Sequence, residues 1–161
     1  MKYPYGISDF SSIIKENYFY CDRTDKIPLL ENTKSQLFIR PRRFGKSLLL
    51  SMLENYYDVA KKDEFEAIFG NLKIGENPTE LRNSYFILRF DFSCVDPTGS
   101  AEDVKRALFN HINGCIEGFY AFYKYKGYEL PQIKVNFDDA LYSLKSLVSA
   151  SRMTPYPVYL L

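Results

Sequence analysis

Gln36-Leu37-Phe38-Ile39, Arg40-Pro41-Arg42-Arg43-Phe44-Gly45-Lys46-Ser47 and Leu48-Leu49-Leu50-Ser51-Met52-Leu53-Glu54-Asn55-Tyr56 follow one another without a break. The first four residues are an apolar run with no polar alternation, the length of a strand buried on both faces. The last nine place Leu49, Met52, Leu53 and Tyr56 at i, i+3, i+4 and i+7, which builds one apolar face of a helix. Between them sits a tight basic segment. Gly45, Lys46 and Ser47 match the second half of the phosphate-cradling pattern G-x-x-x-x-G-K-[ST], in the strand-before, helix-after setting it requires.

The chemistry follows from the backbone. The first N–H groups of a helix have no intrahelical acceptor, and the helix dipole favours an anion there. Glycine lets the chain curl around a phosphate without a Cβ in the way. Lysine supplies a mobile point charge for the outer phosphates. The serine hydroxyl is a hard oxygen ligand suited to Mg²⁺. The first glycine of the general pattern is replaced by Arg40, so Pro41 and its neighbours must make the turn. Arg42 and Arg43 add positive charge that can meet phosphates, solvent or another chain.

Outward from this stretch, the remaining pattern alternates helix and strand. Ser8 to Asn17 is predicted as a short helix capped by Ser8, with Phe10, Ile13 and Ile14 inward. Tyr18 to Cys21 is predicted as a short aromatic strand. Asp22 to Asp25 opens a helix that starts near Pro28. Lys61 to Phe69 is a helix stopped by Gly70. Ser84 to Ser93 is a strand with an apolar centre. Ser100 and Asp103 form a capping box for the longest helix, to about Tyr123, whose apolar stripe runs Val104, Leu108, Ile112, Cys115, Ile116 and Phe119. Asn136 and Asp139 do the same for a last helix carrying Leu141, Leu144, Leu147 and Val148. Val158 to Leu161 begins a third buried strand. This order predicts an α/β fold of the P-loop NTPase kind, a mostly parallel sheet with helices on both faces, incomplete at its C-terminus. Residues 1–35 form an N-terminal lead and 36–161 a partial nucleotide-binding domain.

Composition agrees with a globular protein. The chain has 161 residues, 46% of them apolar, with 13 Phe and 14 Tyr, which excludes extensive disorder. A net charge of +1 gives no global attraction to nucleic acid or an acidic surface. No apolar run approaches a bilayer span, and no secretory leader is visible, so a cytoplasmic location is expected. Cys21, Cys94 and Cys115 have no metal-site spacing, and with His111 as the sole histidine they are expected to be free thiols, each a small buried apolar residue.

The stretch RPRRFGKSLLLSMLENYYD resembles the glycine-substituted Walker A loop and helix of the predicted AAA-ATPase-like proteins of bacteria. PYGISDFSSIIKENYFYCDRTDKIPLLE is similar to that family's N-terminal lead, which usually contains D-K-T; Arg23 stands here where lysine is usual. FGNLKIGENPTELRNSYFILRFDFS resembles the next block, whose strand ends in D-F-S. In this family an arginine at the position of Arg40 is normal. The resemblance implies a P-loop ATPase of the AAA/STAND type that takes ATP and Mg²⁺. It leaves room for self-association, and for DNA through the PD-(D/E)XK nuclease-like domain that follows in many members. It implies a cofactor set of Arg40, Arg42, Arg43, Phe44, Gly45, Lys46, Ser47 and Leu48, with Lys46 catalytic and Ser47 on the metal.

Hydrolysis also needs a carboxylate at the end of a neighbouring strand. The resemblance places an acidic pair (I-D-E-Y-D in relatives) directly after the strand that begins at Val158, beyond Leu161. Such a chain is expected to be a fragment that binds ATP and hydrolyses it poorly. Asp91, after Phe86-Ile87-Leu88-Arg89-Phe90, is the other candidate for the Mg²⁺ shell, or else a cap at the strand end. The resemblance also suggests that the N-terminal lead, with Asp22 and Thr24 in a polar patch, packs near the nucleotide, while capping explains Asp22 or Thr24 at least as well. Tyr120 to Tyr128 interleaves rings and lysines, as single-strand binders do, but a helix end that covers the core explains it better. The competing reading of the whole is a non-enzymatic module in which Arg40, Arg42 and Arg43 hold nucleic-acid phosphates.

Overall fold

The computed structural model describes residues 1–33 and 35–161. They form two compact units, Met1–Ser84 and Tyr85–Leu161.

The first unit is helical. Helix α1 (Phe10–Lys15) is capped by Asp9, whose carboxylate accepts from the Ser12 N–H at 2.8 Å; the cap is Asp9 and not Ser8. A 3₁₀ turn at Thr24–Lys26 leads into α2 (Ile27–Glu31), which has its proline in the first turn as expected. Helix α3 (Lys46–Tyr57) is the long element of this unit. Met52, Leu53, Tyr56 and Tyr57 of α3 are buried with Phe10 and Ile13 of α1. A 3₁₀ turn at Val59–Glu64, then α4 (Phe65–Phe69) and α5 (Lys73–Glu76) close the core with Phe65, Ile68, Phe69 and Ile74. Rings do much of this packing: Tyr56 lies edge-on to both Tyr57 and Phe69, at centroid distances of 5.1 and 5.3 Å. Gly70 ends α4 in a right-handed conformation, so its glycine is not used for a left-handed stop.

Two predicted strands of this unit differ in the structure. Tyr18–Cys21 contributes only one parallel bridge, between Lys2 and Tyr18. Gln36–Ile39 lies in no ladder, and Leu37 and Ile39 are 85% and 82% exposed. A strand is buried when neighbouring strands and overlying helices cover it. Among the described residues no strand pairs with 36–39, so its apolar side chains stay at the surface.

The second unit carries a two-stranded parallel sheet, β1 (Phe86–Leu88) with β2 (Val158–Leu160), in the register Phe86–Val158. The predicted strand at 84–93 is thus three residues long. Its interior is apolar as expected, and Phe86 is surrounded by the rings of Phe119, Tyr123, Tyr128 and Tyr156. The connection from β1 to β2 is helical. Helix α6 (Ala101–Tyr125) begins with the Ser100–Asp103 capping box read from the sequence, and packs on β1. Helix α7 (Ala140–Ser151) packs on α6. Its cap is Asp139, which accepts from the Tyr142 N–H; Asn136 instead accepts from the Asp138 N–H and is not half of a capping box. The face α7 buries is also turned from the expected one: Ala140, Ser143, Leu147 and Ala150 are buried, whereas Leu141 and Val148 are exposed. Small residues let α7 approach closely, and the Ser143 hydroxyl accepts from the Asn136 N–H.

The architecture is therefore α/β with a small parallel sheet. Among the described residues no helix is long and apolar enough to cross a membrane. All three cysteines are free, but Cys21 and Cys94 are exposed and Cys115 is half-buried, because they sit on irregular segments or on the flank of α6.

Candidate functional site

The loop ahead of α3 is shaped by two left-handed residues. Gly45 caps the helix at φ 74°, ψ 22°, and Arg43 has φ 66°. For arginine this conformation costs about 1–2 kcal/mol, a cost usually met where function fixes the backbone. The first helical bond runs from the Leu49 N–H to the Gly45 carbonyl at 2.9 Å. Gly45 makes no side-chain cap, so the N–H groups at the start of α3 meet no capping oxygen from it. A Cβ built on Gly45 meets nothing within 4 Å; it would project into open space.

Gly45 lines a cleft of about 740 Å³, in the range of small-molecule sites. Pro41, Arg42, Arg43, Gly45, Lys46, Ser47 and Leu48 form one wall. Lys46 folds back over the loop, its Nζ donating to the Arg40 carbonyl and, at 3.2 Å, to the Pro41 carbonyl. The ammonium is thereby held at the mouth of the loop while remaining exposed. Arg40 turns onto its own loop instead: its Nη1 donates to the Phe44 carbonyl at 3.4 Å and its guanidinium lies 5.1 Å from the Phe38 ring. Arg40 thus braces the turn that the missing glycine would otherwise make. Arg42 and Arg43 are exposed on the cleft.

Asp22 borders a second cleft, of about 650 Å³, together with Arg40, Gly45 and Leu48 of the loop. The Asp22 carboxylate accepts from the Thr24 N–H and hydroxyl at 2.8 and 2.7 Å, and from the Lys73 N–H at 2.8 Å. The buried Thr24 hydroxyl in turn accepts from the Ile74 N–H at 3.1 Å. This pair ties the lead to the start of α5. Asp91, in the second unit, caps the 3₁₀ turn Phe92–Cys94 by accepting from the Ser93 N–H and hydroxyl at 3.1 and 2.6 Å. Those bonds hold its carboxyl below the ordinary carboxylate range. Of the rings in Tyr120–Tyr128, Tyr123 is buried and its hydroxyl accepts from the Ile87 N–H at 2.7 Å, Tyr128 packs edge-on to Phe86, and Phe122 and Tyr125 are exposed.

The rest of the cleft's lining is Pro4, Tyr5, Gly6, Ile7 and Ser8, which no residue pattern marked and which belong to the lead that the resemblance suggests packs near the nucleotide. A family model described as predicted AAA-ATPase matches residues 4–161, all of that lining included. The chain belongs to that AAA-ATPase-like family. Searches of curated proteins and of solved structures found no significant match. Membership brings the coarse reading that this AAA-ATPase-like chain is ATPase-like and nucleotide-binding. The donor set fits such a ligand: backbone N–H groups, an ammonium and two guanidiniums for phosphate oxygens, and the Ser47 hydroxyl for a hard cation.

Proposed function

We propose that the Arg40–Ser47 loop is a P-loop holding the triphosphate of ATP, and that the chain is the nucleotide-binding part of an AAA/STAND-type ATPase. The observation that carries this is Gly45: a left-handed helix cap that lines one cleft with Lys46 and Ser47 and whose Cβ position meets nothing within 4 Å. N–H groups from Phe44 to Ser47 receive phosphate oxygens. Lys46 exchanges its loop carbonyls for the β- and γ-phosphates, a move that its exposed, flexible stem allows. Arg42 and Arg43 neutralise further charge, Arg40 keeps the turn in shape, and the Leu48 N–H completes the helix start. Ser47 is the metal ligand within this unit. Bound Mg²⁺ supplies charge neutralisation of the phosphates.

Asp91 is the carboxylate proposed for the Mg²⁺ shell: its Oδ1 accepts both Ser93 bonds, and a carboxylate has further lone pairs for a metal-bound water. Because that carboxylate is shared with the Ser93 cap, residues 1–161 are proposed to bind ATP better than they hydrolyse it.

Calorimetric titration tests the reading. Mg·ATP binds and AMP does not, and Lys46→Ala removes two charged hydrogen bonds, weakening binding about 100-fold or more. Lys46→Ala binding Mg·ATP as tightly as the parent would falsify the P-loop assignment. A basic patch for nucleic acid behaves differently: its affinity falls steeply with salt and is indifferent to Mg²⁺.

A further inference from the structure

We propose that Cys94 and Cys115 form a thiol pair that a peroxide oxidises to a disulfide, joining the turn after β1 to helix α6. Both residues belong to the second unit, and both are free thiols. The 3₁₀ turn Phe92–Cys94 packs on α6. Its Phe92 ring lies 6.0 Å from the His111 ring and is stacked on Phe90 at 5.6 Å. One helical turn beyond His111 comes Cys115, whose Sγ sits 3.7 Å from His111 Nε2. Cys94 closes the same turn as Phe92: its N–H donates to the Asp91 carbonyl at 3.3 Å, and the Val95 N–H donates to the Phe92 carbonyl at 3.1 Å. The turn and the helix therefore gather Cys94, His111 and Cys115 into one cluster.

The two sulfurs feel one another. Burial raises the Cys115 thiol above its ordinary range, and the charge of a Cys94 thiolate raises it further. Repulsion of this kind fades beyond a Debye length of about 10 Å. A disulfide needs its Cα atoms about 4.4–6.8 Å apart, so closing the pair draws the turn onto the helix. None of the three turn residues is buried, and this movement leaves the core packing in place. Among the described residues no three His, Cys, Asp or Glu groups are placed to hold a metal ion, whereas two thiols are the set that disulfide chemistry needs. Cys21 is the one cysteine of the first unit.

The two thiols have different parts. Cys94 is exposed and meets the oxidant first; Cys115 is half-buried on the flank of α6 and resolves the product. Oxygen transfer from hydrogen peroxide to the Cys94 sulfur releases one water and leaves a sulfenic acid. The Cys115 sulfur then attacks the Cys94 sulfur. The S–S bond forms as the S–O bond breaks, and the hydroxyl leaves with the Cys115 proton as a second water. The thiol pair loses two electrons, and the peroxide gains them. The closed bond clamps the turn that Asp91 begins to the helix that crosses from β1 to β2.

The test treats the reduced, dilute chain with an equivalent of hydrogen peroxide, alkylates it with iodoacetamide in urea, and weighs it by mass spectrometry. The expected product has lost two hydrogens and carries one alkyl group where the reduced chain carries three, with the Cys94 and Cys115 peptides linked and dithiothreitol restoring the starting mass. When the peroxide is added in urea instead, the same bond should form at least about 10-fold more slowly, because the folded unit supplies the proximity. Cys115→Ser should stop at a Cys94 sulfenic acid that dimedone traps, and Cys21→Ser should close as the parent does. Three results overturn the proposal: a bond that includes Cys21, three alkylated thiols after peroxide, or a Cys94–Cys115 bond that forms no faster in the folded chain than in urea.

Discussion

Gly45→Ala separates the backbone role of the loop from its role toward a ligand. Alanine at φ 74° costs about 1 kcal/mol, because its Cβ crowds the following carbonyl in the left-handed region. Nothing within 4 Å clashes with that Cβ, so no further steric cost arises in the free protein. The expected fall in Tm is about 2–4 °C for a chain of this length. Gly127 is a matched control in the second unit: its φ is 85° and its Cβ position is equally clear. Gly127→Ala should lose the same stability. The ligand distinguishes them. If Gly45 backs a phosphate, its added methyl stands where the phosphate oxygens approach and forfeits a charge-assisted hydrogen bond. Such a bond contributes about 1.5–3 kcal/mol, which corresponds to about 10- to 150-fold in Kd. Thermal melts and Mg·ATP titration of both variants measure the two quantities separately. Equal melts with ATP affinity unchanged in Gly45→Ala would refute the cradle, whatever the family.

Two further outcomes follow from the first unit. Glu64 receives Lys15 and, at 3.0 Å, Lys61, and these bonds lower its pKa to about 2. A carboxyl depressed on folding contributes stability above its unfolded value near 4.5 and loses it as pH falls toward about 2. Solvent screening at this surface site limits the contribution to about 1 kcal/mol. Urea titrations between pH 7 and pH 3 should show that loss in the parent and a flatter profile in Glu64→Gln; superimposable profiles would dismiss the network. Asp22→Ala removes three hydrogen bonds and is expected to cost about 2 kcal/mol with Mg·ATP affinity unchanged. Weaker binding at unaltered stability would instead put Asp22 in the nucleotide site.

What the sequence made readable divides by the range of the forces involved. Local signals carried through: the α3 stripe, the Ser100–Asp103 box, the proline in the first turn of α2, and Gly45 at the helix start all depend on residues within one or two turns. Side-chain competition for a helix end was less readable. Asp9 and Asp139 occupy the N-cap positions, with Ser8 and Asn136 one and three residues ahead of them; Asp, Asn and Ser cap about equally well, so residue type alone does not choose between them. The α7 face escaped because leucines suggested a stripe, whereas packing on α6 selected Ala140, Ser143 and Ala150, which allow close approach.

The strand assignments show the limit most sharply. Phe86–Leu88 and Gln36–Ile39 are apolar runs of similar kind, and no local feature separates them. The first is buried in a ring of aromatics and paired in parallel with Val158–Leu160; the second is exposed. Strand pairing is decided by distant segments, so the same local pattern can end paired or bare. The candidate site divides in the same way. The loop residues of its lining are a contiguous motif, readable from eight residues. The other lining residues, Pro4–Ser8, lie far along the chain and are held between the Lys2–Tyr18 bridge and the bonds of Ser51 of α3 to Phe10 and Asp9. A serine buried in the middle of an apolar helix face is an isolated oddity in the sequence. In the folded unit its hydroxyl accepts from the Phe10 N–H and reaches Asp9, so Ser51→Ala leaves a buried N–H without its acceptor and is expected to cost about 1–3 kcal/mol, read from urea melts; a stability equal to the parent's would dismiss Ser51 as the tie between α1 and α3.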